Sequence, residues 1–112
     1  MKIVKILILA FGFLVSSSSY AQSQRGRVSY YSEGPLTASG ERFNKRALTC
    51  AHRTLPFGTM VRVGYRGRAI SCRVNDRGPA LWTGRSLDLS LGAAKVLGMT
   101  TAGVVVATMA WD

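Results

Sequence analysis

Between Met60 and Val74 apolar and polar residues alternate on both sides of a short glycine-bearing break. Val61 and Val63 fall on one face and Arg62 on the other. Beyond Tyr65-Arg66-Gly67-Arg68, the residues Ile70, Cys72 and Val74 share a face while Ser71 and Arg73 point away. A period of two either side of a tight turn predicts a β-hairpin, with its second strand over Ala69–Val74. Asn75-Asp76-Arg77-Gly78-Pro79 then breaks the strand. Further short strands are predicted over Arg25–Tyr31, Leu48–His52 and Gly103–Met109, where Val104-Val105-Val106 is β-branched. Glu33–Glu41 is rich in Gly, Ser and Thr and reads as an exposed, flexible loop. Ser90–Leu97 is the one good helix, with Ser90 as N-cap and Gly98 as its stop. The sum is a mainly β domain with one short helix, most simply a small barrel.

The first residues have a separate purpose. Lys2 and Lys5 precede an apolar run from Ile6 to Val15, and small Ser19 and Ala21 follow with the spacing of a signal-peptidase site. The run is too short to span a bilayer, so residues 1–21 are expected to be a signal peptide and residues 22–112 the exported domain. A retained N-terminal anchor helix is the alternative. No cysteine stands at the cut, which argues against lipid attachment, so no stable membrane anchor is expected.

Composition narrows the chemistry. In 112 residues there are 15 Lys+Arg against 5 Asp+Glu, a formal charge of +10, with one histidine and two cysteines. One His and two Cys are too few ligands for most zinc or iron–sulfur sites, so neither metal nor cofactor is expected. There is no phosphate-cradling glycine pattern and no Gly-x-Ser-x-Gly elbow. The arginines are scattered along strands and turns, and export keeps the protein from nucleic acid. An envelope polyanion is the better partner for this charge. Cys50 and Cys72, in a small exported domain, are expected to form a disulfide. Closing a loop of that length contributes about 3 kcal/mol. A Cys50 thiol nucleophile with His52 as base is the competing reading, which oxidation would remove.

Of the five acids, Glu33 and Asp112 lie near the ends of the domain, which leaves Glu41, Asp76 and Asp88. Cleavage of a glycosidic bond needs a carboxyl group that protonates a leaving oxygen and later takes a proton back. Asp76 is the first choice. Were the strand to continue, it would share the apolar face of Cys72 and Val74, with Arg73 and Arg77 on the other. Its structural alternative is a turn cap made through backbone amides. Glu41 is either a groove-wall carboxylate or a solvated loop residue, and His52 either functional or a buried structural histidine. Asp88, two residues before the cap Ser90, is read as favouring the helix N-terminus.

Several blocks in register resemble the rare lipoprotein A (RlpA) family: Gly40-Glu41-Arg42-Phe43, Leu48–Thr59 with Cys50-Ala51-His52-Arg53 inside it, Val74-Asn75-Asp76-Arg77-Gly78-Pro79, Asp88-Leu89-Ser90 and Ala93–Met99. The match runs over residues 26 to 109. The resemblance implies a six-stranded double-psi β-barrel with one or two short helices. It also implies a lytic transglycosylase acting on peptidoglycan glycan strands, with a preference for strands lacking stem peptides. Glu41, His52 and Asp76 match the family's active-site residues. Asp88 matches an acidic position that lines the sugar groove in expansin relatives. Arg53 and Arg77, with Arg42 and Arg85, are expected to pair with lactyl carboxylates, and Tyr31 and Trp82, with Tyr30, to offer stacking surfaces. A monomer is expected. The Cys50/Cys72 pair departs from the family pattern, in which Ala commonly sits at the first position. A non-catalytic, expansin-like wall binder is the alternative function.

Overall fold

The structure is a computed structural model that describes residues 19–112; the apolar run of the expected signal peptide lies outside the described residues. Six strands are formed: β1 (Gln22–Tyr31), β2 (Thr49–Ala51), β3 (Met60–Tyr65), β4 (Arg68–Asp76), β5 (Arg85–Ser90) and β6 (Val105–Trp111). They close into a barrel in the order β1-β5-β2-β4-β3-β6. The pairs β1·β5 and β2·β4 are parallel and the other four antiparallel. No helix among the described residues is long and apolar enough to cross a membrane.

The predicted hairpin is β3–β4, paired from Met60↔Arg73 to Tyr65↔Arg68. Its alternation sends Val61, Val63, Ile70, Cys72 and Val74 into the barrel, where they meet Val28, Leu87, Leu89 and Met109. Each such aliphatic side chain contributes about 1.5–3 kcal/mol when withdrawn from water. Cys50 and Cys72 are fully buried in that core and form the expected disulfide, with Cα atoms 5.7 Å apart.

Ser90 caps the helix α1 (Leu91–Leu97) by accepting from the Ala93 amide at 3.2 Å, and Gly98 ends it in the left-handed region at φ 80°. Ala93, Ala94 and Leu97 are its buried face. Gly92 lets the 44–46 loop seat directly on the helix. Its amide donates to the Lys45 carbonyl at 2.7 Å, and a Cβ there would stand 2.6 Å from the Arg46 carbonyl oxygen.

Several strand limits move: β1 begins at Gln22, β2 shortens to Thr49–Ala51, β4 starts at Arg68 and runs on to Asp76 where a break was expected at Asn75, and the last strand starts at Val105 and runs on to Trp111. The larger correction is β5, which was not expected as a strand. Leu87 and Leu89 alternate with Ser86 and Asp88, a period-two signal that the neighbouring helix cap obscured. Both edges of β5 are paired, to β1 and to β2, and this is what places Asp88 in a sheet.

Candidate active site

Three registers line up one row of residues across four strands. Ser29 on β1 faces Asp88 on β5, Asp88 faces Ala51 on β2, and Ala51 faces Asp76 on β4. With strands about 4.8 Å apart, the two aspartates stand roughly 10 Å from each other, separated only by the small Ala51. Partners in register point to the same side of a sheet, so both carboxylates lie on the outer side of the barrel wall.

Asp76 reaches this row because the β2·β4 register slips. Cys50 faces Val74 but Ala51 faces Asp76, so Asn75 is an extra residue on β4. Strict alternation would carry Asp76 onto the core face with Cys72 and Val74, as the sequence predicts. The slip turns it onto the outer face instead. Its setting is therefore polar: Oδ1 accepts from the amides of Ala38 (2.8 Å) and Arg77 (2.9 Å), and Oδ2 accepts from the Tyr31 hydroxyl (3.0 Å). Arg73, expected on the opposite face, lies on the same outer side.

Tyr31 is fixed from two directions, by its bond to Asp76 and by stacking on Phe43 with centroids 4.7 Å apart. Burial, then the bond to Asp76, then the charges of Asp76 and Asp88 push its phenol well above the usual range, so it stays a donor. Phe43, Ser29 and Asn75 were not anticipated as site residues. Their roles depend on pairings across the barrel that short-range sequence patterns do not carry.

Glu41 closes a loop that is tightly folded rather than flexible. Leu36 bridges to Arg42, the Thr37 amide donates to the Glu41 carbonyl at 2.9 Å, and Thr37 is buried. The loop is tied to β4 by Ser39 N–H on the Asn75 carbonyl (3.2 Å) and by Ala38 N–H on Asp76. The Glu41 carboxylate accepts from Asn75 Nδ2 and from Arg73 Nη2, the latter at 3.1 Å. Those bonds, Asn75 first and Arg73 second, hold its carboxyl below the ordinary glutamate range. Glu41 is therefore a standing negative charge beside the Asp76 strand.

His52 joins the site through its backbone, its amide donating to the Asp76 carbonyl at 3.1 Å. Its Nδ1 accepts from the amides of Thr54 and Leu55, each at 3.1 Å, which fixes the neutral tautomer with the proton on Nε2. Burial, then the charges of Arg53 and Arg77, lower its pKa from 6.5. The ring lies 6.1 Å from Trp111. Protonation would cost both Nδ1 bonds. The unfolded chain takes up this proton at a higher pH than the folded one, so stability is present above the ordinary histidine range and falls as the pH drops through it. Melting temperature is therefore expected to decline from about pH 7.5 to 5.5, above the carboxylate range, and to decline less in His52→Gln. Equal slopes for the two proteins would contradict this.

The expected arginines divide. Arg53 Nη1 donates to the Pro79 and Arg85 carbonyls at 3.0 and 2.8 Å, and Arg77 Nη1 to the His52 and Leu55 carbonyls at 3.2 and 2.8 Å. The Arg77 guanidinium also stacks 4.0 Å from the Phe57 centroid. Both fasten loops around Asp76. Arg42 instead faces a cleft of about 610 Å³ next to Phe43, together with Lys45 and Arg46. Trp82 stands 87% exposed on the 3-10 turn Leu81–Thr83, while Tyr30 turns inward and donates to the Thr100 carbonyl at 3.0 Å. Asp88 is not at the helix start: it sits within β5 and accepts from the Ser29 hydroxyl.

Residues 23–109 match the family described as lytic transglycolase. The chain belongs to the lytic transglycolase family. The probable endolytic peptidoglycan transglycosylase RlpA of Nostoc sp. is 52% identical over 95 residues, which cover 79% of this chain and 25% of that protein. The endolytic peptidoglycan transglycosylase RlpA of Campylobacter jejuni is 44% identical over 72 residues, 62% of this chain and 26% of that protein. This lytic transglycolase chain spans about a quarter of the length of these relatives. Among solved structures, the Streptomyces papain inhibitor superposes with a TM-score of 0.70 at 26% identity, covering 85% of this chain and 98% of that one. An expansin of Clavibacter michiganensis gives 0.65 at 20% identity over 81% of this chain and 50% of that one, a likeness of fold alone. The resemblance to RlpA read from the motifs holds, and the closed barrel is the double-psi fold it implied.

Proposed function

We propose that this chain is an exported peptidoglycan lytic transglycosylase that cuts glycan strands lacking stem peptides and leaves 1,6-anhydro-N-acetylmuramic acid ends. The reading has residues 1–21 removed as a signal peptide and residues 22–112 working as a monomer in the periplasm, without cofactor. The observation that carries it is Asp76 at the end of β4, held by Tyr31 and two amides in a row with Asp88 across small Ala51. Family membership and the names of the RlpA relatives support the same reading.

In the proposed reaction protonated Asp76 gives its proton to the glycosidic oxygen as the bond to the muramic C1 breaks. The C6 hydroxyl of that sugar then attacks C1, and its proton passes to the Asp76 carboxylate. The acid is regenerated, and no water enters the product. An intramolecular nucleophile has a large proximity advantage, so one carboxyl group suffices. Glu41, ionised against Asn75 and Arg73, fits the stabilisation of positive charge at C1 rather than proton donation. The His52 Nε2–H is left as a donor for a sugar hydroxyl. Asp88 and Trp82 line the sugar path, and Arg42 is placed better than Arg53 or Arg77 for a lactyl carboxylate.

Digestion of amidase-treated sacculi followed by mass spectrometry tests the proposal. Anhydro-muramic ends are the expected product. Sacculus binding without any cut would instead support the expansin-like binder. Tyr31 is a positioning residue in this scheme. Tyr31→Phe keeps the stack on Phe43 and removes only the hydroxyl on Asp76, so kcat is expected to fall about 10- to 100-fold with KM and melting temperature unchanged. A change in KM alone would make Tyr31 a sugar contact instead.

A further inference from the structure

Away from the candidate active site the barrel carries a second groove. β4 runs from Arg68 to Asp76, and at about 3.3 Å per residue its two ends are roughly 26 Å apart. At the Arg68 end, the hairpin turn and β6 enclose a groove of about 560 Å³. Small residues such as Gly64 and Ala107 line it, and a Cβ on Gly64 would stand 2.7 Å from the Thr108 hydroxyl. Arg25, Arg66 and Arg68 line it too, and no carboxylate does.

The turn that presents Arg66 breaks a local rule. Arg66 and Gly67 both have left-handed backbones, φ 49° and 78°. Hairpin turns of this kind favour Asn, Asp or Gly at both positions, and a long side chain at the first is disfavoured. The strained arginine lays its guanidinium over the Tyr65 ring, 5.5 Å from the centroid. Strain of this sort persists where the surroundings or the function require it. Among the described residues the one ion pair is Arg73–Glu41, so no carboxylate neutralises these three guanidinium groups.

We propose that this groove is a second, non-catalytic anion site that holds the stem-peptide carboxylates of intact peptidoglycan while the opposite end of the barrel engages a glycan strand. This rests on the peptidoglycan reading above for the identity of the polymer. Guanidinium forks match carboxylates bidentately. A wall polymer in which peptide-bearing strands lie beside naked ones can occupy the groove and the active site at once, which raises retention on the wall without new contacts at the cut bond.

The test combines Arg25→Gln with Arg66→Asn, the second being a residue the turn accommodates better, so that charge is lost with the fold preserved. Arg68 is kept because it donates to the Val96 carbonyl. Co-sedimentation with peptide-bearing sacculi is expected to weaken about tenfold in the variant and to lose much of its salt dependence. Turnover of a short soluble glycan stays unchanged. Wild-type binding should fall to the variant's level on sacculi whose carboxylates have been capped as amides. Equal binding of wild type and variant to untreated sacculi would overturn the proposal. So would a loss confined to phosphatidylglycerol vesicles, which would assign the groove to lipid phosphates. Binding is read without any cut, so an absence of anhydro ends would count against the transglycosylase reading alone.

Discussion

Asp76→Asn is expected to lower the release of anhydro-muramic ends about a hundred- to ten-thousandfold, the range for losing a positioned general acid–base. The amide has the shape of the carboxyl group, and its oxygen can still accept from the Ala38 and Arg77 amides. What it lacks is a proton to give and a charge to take one back. Sacculus binding and melting temperature should therefore stay near the wild-type values while mass spectrometry finds almost no product. Undiminished product would remove Asp76 from the acid–base role. Asp88 would then be the carboxyl group left to carry it, since it lies in the same row across Ala51.

Removing the disulfide is the largest expected effect on stability. Cys50 and Cys72 are 22 residues apart in sequence and join β2 to β4, the parallel pair that carries Asp76. Without the link the unfolded chain regains the entropy of an open loop, about 3 kcal/mol. For a domain of this size that corresponds to a melting temperature lower by about 12–24 °C. The double variant Cys50→Ala, Cys72→Ala should show this by calorimetry, and reduction of the wild type should approach it. A decrease of less than about 4 °C would mean that the unfolded chain gains little freedom when the link is cut.

The elements legible in the sequence are those whose signals are local. The β3–β4 hairpin is an alternation of neighbours around a glycine turn, and α1 is bracketed by its own Ser90 cap and Gly98 stop. The disulfide was legible because the chain has two cysteines, which leaves one pairing, and its first residues read as an export signal. Candidate residues Glu41, Asp76 and Asp88 came from the shortness of the acid list and from the RlpA motifs. Their orientation did not. Asp76 faces outward because one extra residue, Asn75, shifts the β2·β4 register, and register is decided by both strands together. Asp88 belongs to a strand because β1 and β2 pair with it on either side.

The same distinction separates the arginines. As a sequence they are equivalent cations, but backbone carbonyls brought close by the fold occupy Arg53 and Arg77, while Arg42 and Arg66 line grooves. Sequence alone determined a small, basic, disulfide-linked β domain and the short roll of carboxyl groups able to act in it. Tertiary structure alone decided which of them share a row on the barrel wall and what each touches. Hydrophobic alternation specifies a strand's faces locally, whereas hydrogen-bond register and loop docking arise between segments far apart in the chain.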